Sequence, residues 1–310
     1  MCGIAGIIYR DTDEHDVGSD MTRMLQSMKH RGPDSTGYAL YHPPSTGLHL
    51  RYKLADANDA RDSEFPVRLA RHQREVERRL RAAGAEIDEI HADTEYAYSA
   101  RLRYDGDLKA IADSLEDIPR CEVLSLGTVL EIVKDLGDAE TVSGQYGLER
   151  FSGTHGIGHV RMATESDVDI SGAHPYWAYP FPDVAVVHNG QLTNYWQWKR
   201  RLERAGHRFQ SMCDSEIIAV YLAQKMGDGY SLEDAMRESL DELDGVFTYI
   251  AVTDSALGVA KDEMAAKPLV LYESDELVAL ASEEIAIRAV VDREIETYDP
   301  FEREVLVWQR

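Results

Sequence analysis

Hydrophobic positions in the first nine residues alternate weakly and then run together as IAGII, the pattern of a strand covered on both faces. From about Ser19 to Lys29, Met21, Met24, Leu25 and Met28 recur at helical spacing. This predicted helix ends at HRGPDSTG (30–37), a turn rich in Gly, Pro and Asp, and TGYALYH follows as a short strand.

Between 47 and 127 the character changes. LHLRYKLA (48–55) reads as a strand and PVRLARHQREVERRLRAAG (66–84) as a charged amphipathic helix closing on glycine. EIDEIHA (86–92) and the Tyr/Ala/Leu alternation of EYAYSARLRYDG (95–106) predict two strands. DLKAIADSLEDI (107–118) is a helix and CEVLSLG (121–127) a strand. The order β-α-β-β-α-β is ferredoxin-like, so 47–127 is expected to be a small inserted α/β subdomain.

After it, TVLEIVKD reads as a strand, AETVSGQYGL as a short helix and GTHGIGHVRMAT as a strand. PDVAVVHNGQL is a strand running into a turn. YWQWKRRLERAGH, DSEIIAVYLAQKM and SLEDAMRESLDEL are amphipathic helices, the second predicted to start at Ser215. GVFTYIAVTD, ALGVAKD, KPLVLYES and ELVALASE are expected to form one run of hairpin-linked strands. Helices between two sets of strands imply stacked sheets with helices outside.

Composition narrows the possible functions. A chain of 310 residues is long enough for a full core. No apolar run approaches the roughly 18 residues that a membrane span needs. The first ten residues lack a basic start and a cleavage site, so secretion is not expected. A net charge of −23 argues against nucleic acid or an anionic membrane as partner. Cys2, Cys121 and Cys213 are odd in number and widely spaced, so they make neither a disulfide framework nor a zinc knuckle, and a reducing cytoplasm fits.

Several positions could carry chemistry. If Met1 is removed, Cys2 holds a thiol and a free α-amino group on one residue, a nucleophile with its own base. If Met1 stays, Cys2 is a small apolar residue at a strand end. Asn189-Gly190 is either a hairpin turn or a pair of fixed donors for an oxyanion. Arg161 is either half of a surface salt bridge or a fork for a carboxylate. Asp214 could cap the helix that follows. His155 and His159 lie four apart in a glycine-rich strand, share no helix face for zinc, and no metal site is expected. Lys261 and Lys267 read as structural, and no phosphate loop is present.

Taken together and in this order, MCGIAGI, HRGPDSTG, GHVRMAT, VVHNG and CDSEIIA resemble class II glutamine amidotransferases, the N-terminal-nucleophile glutaminases. The resemblance covers roughly 1–47 and 128–290. It is strongest, including ESDVDISGAHPYW, to the stand-alone amidotransferase subunit of split glutamate synthases and of N-methylglutamate synthase. It implies a four-layer αββα sandwich, class α+β, with the amidotransferase domain divided into 2–46 and 128–310 around the insert. It also implies Cys2 as nucleophile, Asn189 and Gly190 as oxyanion hole, and Arg161 with Thr164 on the α-carboxylate of glutamine. Asp214 would take the α-ammonium, and Arg31 and Gly32 would form a turn packed on the nucleophile. Met162 stands where relatives often have an aromatic residue, and Glu165 where some have histidine or asparagine.

No synthase domain is recognisable after the glutaminase motifs. The expected partners are therefore glutamine and separate synthase subunits, with any flavin or iron–sulfur cluster on those partners and no cofactor in this chain. Two alternatives stay open: a stand-alone amide hydrolase of the same fold, and an inactive binding or regulatory module.

Overall fold

The computed structural model describes residues 2–44, 46–55, 59, 64–162, 172–179, 181 and 183–310. In chain order the elements are β1 (Gly3–Tyr9), α1 (Val17–Ser27), β2 (Ser35–Tyr41), β3 (Leu48–Lys53), α2 (Phe65–Ala82), β4 (Glu86–Ala92), β5 (Ala97–Arg103), α3 (Leu108–Glu116) and β6 (Glu122–Gly127). Then come β7 (Leu130–Leu136), α4 (Ala139–Tyr146), β8 (His155–Arg161), β9 (Tyr176–Trp177), β10 (Ala185–Leu192), α5 (Tyr195–Arg204), α6 (Asp214–Gly227) and α7 (Leu232–Glu242). The last are β11 (Gly245–Val252), β12 (Ala256–Lys261), β13 (Val270–Glu273), β14 (Leu277–Ala281), α8 (Glu284–Arg288) and β15 (Val305–Gln309). Among the described residues no helix is long and apolar enough to cross a membrane.

Two sheets stack face to face. One has six strands in the order β13-β14-β1-β8-β2-β7, the other five in the order β15-β12-β11-β10-β9. Strand alternation sorts the side chains into layers, because successive residues point to opposite faces. On β1, Ile4 and Ile8 enter the cluster between the sheets, with Ile157, Val187, Ile250 and Val259. Ala5 and Ile7 face the other way, onto Met21, Met24 and Leu25 of α1. On the second sheet Ile250 and Val252 point inward, while Phe247, Tyr249 and Ala251 pack with Ile217, Tyr221 and Met236 of α6 and α7. Both faces of these strands are covered, which is why they read as near-continuous apolar runs. The result is the α+β, four-layer αββα sandwich that the sequence implies.

Residues 48–127 add a third sheet of four antiparallel strands, ordered β4-β5-β3-β6, with α2 and α3 on one face. That is the ferredoxin-like arrangement expected from the element order. β3 carries two faces. Leu48, Leu50 and Tyr52 lie under the helices with Val76, Leu80 and Leu115. His49, Arg51 and Lys53 alternate with them and are buried against β7, where Glu131 and Asp135 receive them.

Three expectations need correction. The four late strands do not form one run: β11 and β12 pair in the second sheet, whereas β13 and β14 pair at the edge of the first. Turn chemistry fixes which neighbours form a hairpin, but both sheets share the same period, so pattern alone cannot say to which sheet a hairpin belongs. β15, which extends the second sheet beside β12, and the short helix α8 are absent from the sequence reading. The Asn189-Gly190 pair does not turn: β10 runs on through it to Leu192, paired with β11 throughout.

Candidate active site

Cys2 precedes the first residue of β1, and Gly3 pairs with Val160 next to the end of β8. This register brings Cys2 beside Arg161 and Met162, and its Sγ lies 3.9 Å from the Met162 carbonyl. The Cys2 carbonyl accepts from Arg31 Nε at 3.0 Å and from Asn189 Nδ2 at 3.3 Å. Two residues distant in sequence thus hold the backbone of residue 2. Cys2 as a whole is half-buried.

Arg31 is held in turn. Its Nη1 meets Glu283 Oε1 at 2.6 Å, and His30 Nε2 lies 3.0 Å from Glu283 Oε2. Burial would raise the Glu283 carboxyl, but hydrogen bonds from Arg31 and His30 outweigh it and hold it below the usual range. Gly32 lies directly on the end of β8: a Cβ there would sit 2.5 Å from the Arg161 nitrogen. No other side chain fits, so the glycine sets how closely the 30–37 turn approaches the end of β8.

Asn189 donates also to Ser282 Oγ at 3.3 Å, and that hydroxyl accepts from the Ile4 N–H at 3.0 Å. The amide is therefore fixed between the starts of β1 and α8. Gly190 has φ +143, and a Cβ there would stand 2.1 Å from the Val246 carbonyl. Both the conformation and the close approach of β11 demand glycine.

Asp214 does not cap a helix starting at Ser215. Cys213 is the N-cap, Asp214 is the first helical residue, and its Oδ2 accepts from Leu192 N–H at 2.7 Å. The bond reaches across to the end of β10, two residues past Gly190, so the carboxylate is tied to the strand that carries Asn189 and Gly190. Its position in the first turn also suits the positive end of α6.

The structure thus brings Cys2, Asn189, Arg31, Gly32 and Arg161 together, with Asp214 joined through Leu192 to the strand of Gly190. Thr164 and Glu165 lie outside the described residues. Sequence reasoning missed Ser282 and Glu283, which arrive from the far end of the chain with no local signal.

It also missed a buried polar cluster behind the site. His174 Nε2 lies 2.9 Å from Ser215 Oγ, and His188 Nδ1 lies 2.8 Å from the same hydroxyl. The His188 N–H donates to His174 Nδ1 at 3.3 Å. Read as neutral rings, His174 donates from Nε2 to Ser215, which donates to Nδ1 of His188, assigning both tautomers. The ring of His159 sits 4.1 Å from that of His174. Burial, then the charges of Arg161 and His188, push His159 down to about 3. Burial likewise depresses His174 and His188. Each of these histidines adjoins a motif (GHVR, AHPY, VVHNG), which was the available signal.

Residues 159–289 match the model of a family described as a glutamine amidotransferase domain, and residues 1–72 match a second model so described. A putative glutamine amidotransferase of Methanothermobacter thermautotrophicus is 39% identical over 305 residues, covering 97% of this chain and 98% of that one. The glutamine amidotransferase-like protein GlxB of Rhizobium meliloti is 34% identical over 314 residues, covering 99% and 98%. The chain belongs to the class II glutamine amidotransferase family. Among solved structures it is similar to glutamine phosphoribosylpyrophosphate amidotransferase from B. subtilis, with a TM-score of 0.61 and 19% identity over 99% of this chain and 47% of that one. At that identity the likeness is one of fold, and this chain spans about half the length of that protein.

Proposed function

We propose that the chain is a glutaminase with Cys2 as its mature N-terminus, acting as the amidotransferase subunit of a glutamate-synthase-like or N-methylglutamate-synthase-like complex. Once Met1 is removed, the α-amino group, with a pKa of about 7.7–8.0 for such groups, takes the thiol proton directly or through a water. The thiolate adds to the side-chain amide carbon of glutamine. The Asn189 amide and the Gly190 N–H receive the oxyanion. As the intermediate collapses, the α-ammonium returns its proton to the leaving nitrogen, ammonia departs, and a glutamyl thioester remains. Water then attacks the thioester, releasing glutamate and restoring the thiol.

Arg161 binds the α-carboxylate and Asp214 the α-ammonium, so the two charged ends of an amino acid select the substrate. The ammonia passes to a synthase partner that supplies its own flavin or iron–sulfur chemistry, and the 47–127 insert is a candidate docking element for it. The observation that supports this reading best is the convergence of Arg31 and Asn189 on the Cys2 carbonyl, which aims the Asn189 amide at the residue that would carry the thioester.

Intact-mass measurement together with turnover tests the proposal. The purified chain should lack Met1, take up one equivalent of a glutamine-like electrophile on Cys2, and lose nearly all glutaminase activity as Cys2→Ser. Full activity with Met1 retained would overturn the nucleophile. Full turnover by the isolated chain, with no partner co-purifying, would favour a stand-alone hydrolase over a subunit.

A further inference from the structure

Three side chains meet where the insert joins the main sheet. His42 follows β2, His49 lies in β3, and Glu131 lies in β7. His42 Nε2 and His49 Nδ1 both face Glu131 Oε1, the first in a hydrogen bond and the second at 3.3 Å. The three candidate ligand atoms lie within 4.8 Å of one another. The two imidazole rings stack with centroids 4.7 Å apart, and Phe151 closes the side of His42 at 4.2 Å. Glu131 Oε2 is taken by Arg51 Nε, whose Nη1 reaches Asp93 at 2.8 Å. A cavity of about 290 Å³, lined by Glu14, His42, Thr46, Gly47, His49 and Arg101, opens beside the rings.

Without a metal, this arrangement requires both rings to place an N–H on a single carboxylate oxygen. The two stacked rings then crowd one acceptor oxygen. One divalent ion at the point of convergence replaces both protons and uses all three lone pairs. Tetrahedral zinc, with bonds of about 2.0–2.2 Å, spaces its ligand atoms about 3.3 Å apart, within reach of small side-chain rotations here. Two imidazoles and one carboxylate select a borderline metal over calcium or magnesium. The cavity leaves a fourth position for water. Arg51 and Asp93 fix the carboxylate from behind, as outer partners of a metal ligand do.

We propose that His42, His49 and Glu131 bind a divalent transition metal of the zinc type, which pins the first strand of the insert to the amidotransferase sheet. The sequence reading weighs only His155 and His159 for zinc and expects no metal; a histidine pair seven residues apart and a glutamate 82 positions later make no recognisable ligand spacing.

Titration of the chelator-stripped full chain with Co²⁺ tests this. One Co²⁺ per chain should bind with visible d–d absorption, and Zn²⁺ should displace it and raise Tm. His42→Ala and His49→Ala should weaken binding at least about 100-fold and abolish the Tm gain. Should His49→Ala not fold, His42→Ala, at a half-buried position, carries the test. His42→Ala should leave glutaminase turnover unchanged, since the ring lies outside the Cys2 site. No saturable d–d absorption in the wild type, or Co²⁺ affinity unchanged in His42→Ala, would overturn the metal site.

Discussion

The end of the sandwich at Cys2 and the joint between β3 and β7 use polar groups in opposite ways. At Cys2 the Asn189 contacts are long, reaching two acceptors at 3.3 Å, and the residue is half-buried. At the joint, charges are sealed and closely matched. Lys53, 1% exposed, sits 3.0 Å from Asp135, whose carboxylate also accepts from Tyr146 at 2.6 Å and from Tyr96. Burial lowers the Lys53 ammonium despite Asp135, so the pair is an expensive feature that persists because each charge has its counterpart. A site proposed to react must stay partly open to its substrate. A joint has no such duty and pairs its buried charges with opposite ones.

Breaking the joint should give the largest loss of stability. Lys53→Met leaves the Asp135 carboxylate buried without its cation and should cost about 3–5 kcal/mol in urea unfolding. A loss below about 1 kcal/mol, the range of exposed pairs, would mean that the joint is wetter than it looks. Asn189→Ala should act on the other quantity. It should lower kcat about 10²–10³-fold, or about 2.7–4 kcal/mol of barrier, and an unchanged kcat would remove Asn189 from the oxyanion hole.

Acid separates the two regions next. His155 is pushed down to about 4, chiefly by burial, and His159 to about 3. Below the ordinary histidine value of 6.5 the unfolded chain takes up protons that these rings refuse in the folded state. Stability is therefore complete above pH 6.5 and falls as pH falls, by about 2 kcal/mol per ring at about pH 5. Glu131 keeps its charge over that range: burial alone would raise its carboxyl, but Arg51 and the two histidines hold it well below the usual value. Urea midpoints at pH 7 and pH 5 measure this, and a flat profile would contradict the buried neutral rings. The smallest effect is expected at Arg161, the proposed carboxylate partner. Arg161→Lys keeps the charge and loses the fork, so KM for glutamine should rise roughly tenfold with kcat little changed.

The motif residues were legible because their chemistry is local: a cysteine at a strand start, a glycine that only glycine can replace, an arginine ending an apolar strand. The strands themselves were legible from their period, and so was the ferredoxin-like order of the insert. LHLRYKLA shows where that legibility stops. Its alternation gives one apolar and one polar face, and a polar face reads as a solvent face. His49, Arg51 and Lys53 are nonetheless all buried, because Glu131 and Asp135 wait opposite them some 80 residues further along the chain.

By itself, then, the sequence determined most of the elements, their periodicity and the residue types that a glutaminase needs. Tertiary structure decided the rest: which sheet each late hairpin joins, that Asn189-Gly190 continues a strand, and that Ser282 and Glu283 return to brace Asn189 and Arg31. It also decided that two histidines and a glutamate converge on one point at the joint. The physical reason is range. Backbone period and steric demand act between neighbours and are written in every short window of sequence. Charge pairing and hydrogen bonding act between any groups that folding brings within about 3 Å, whatever their separation along the chain.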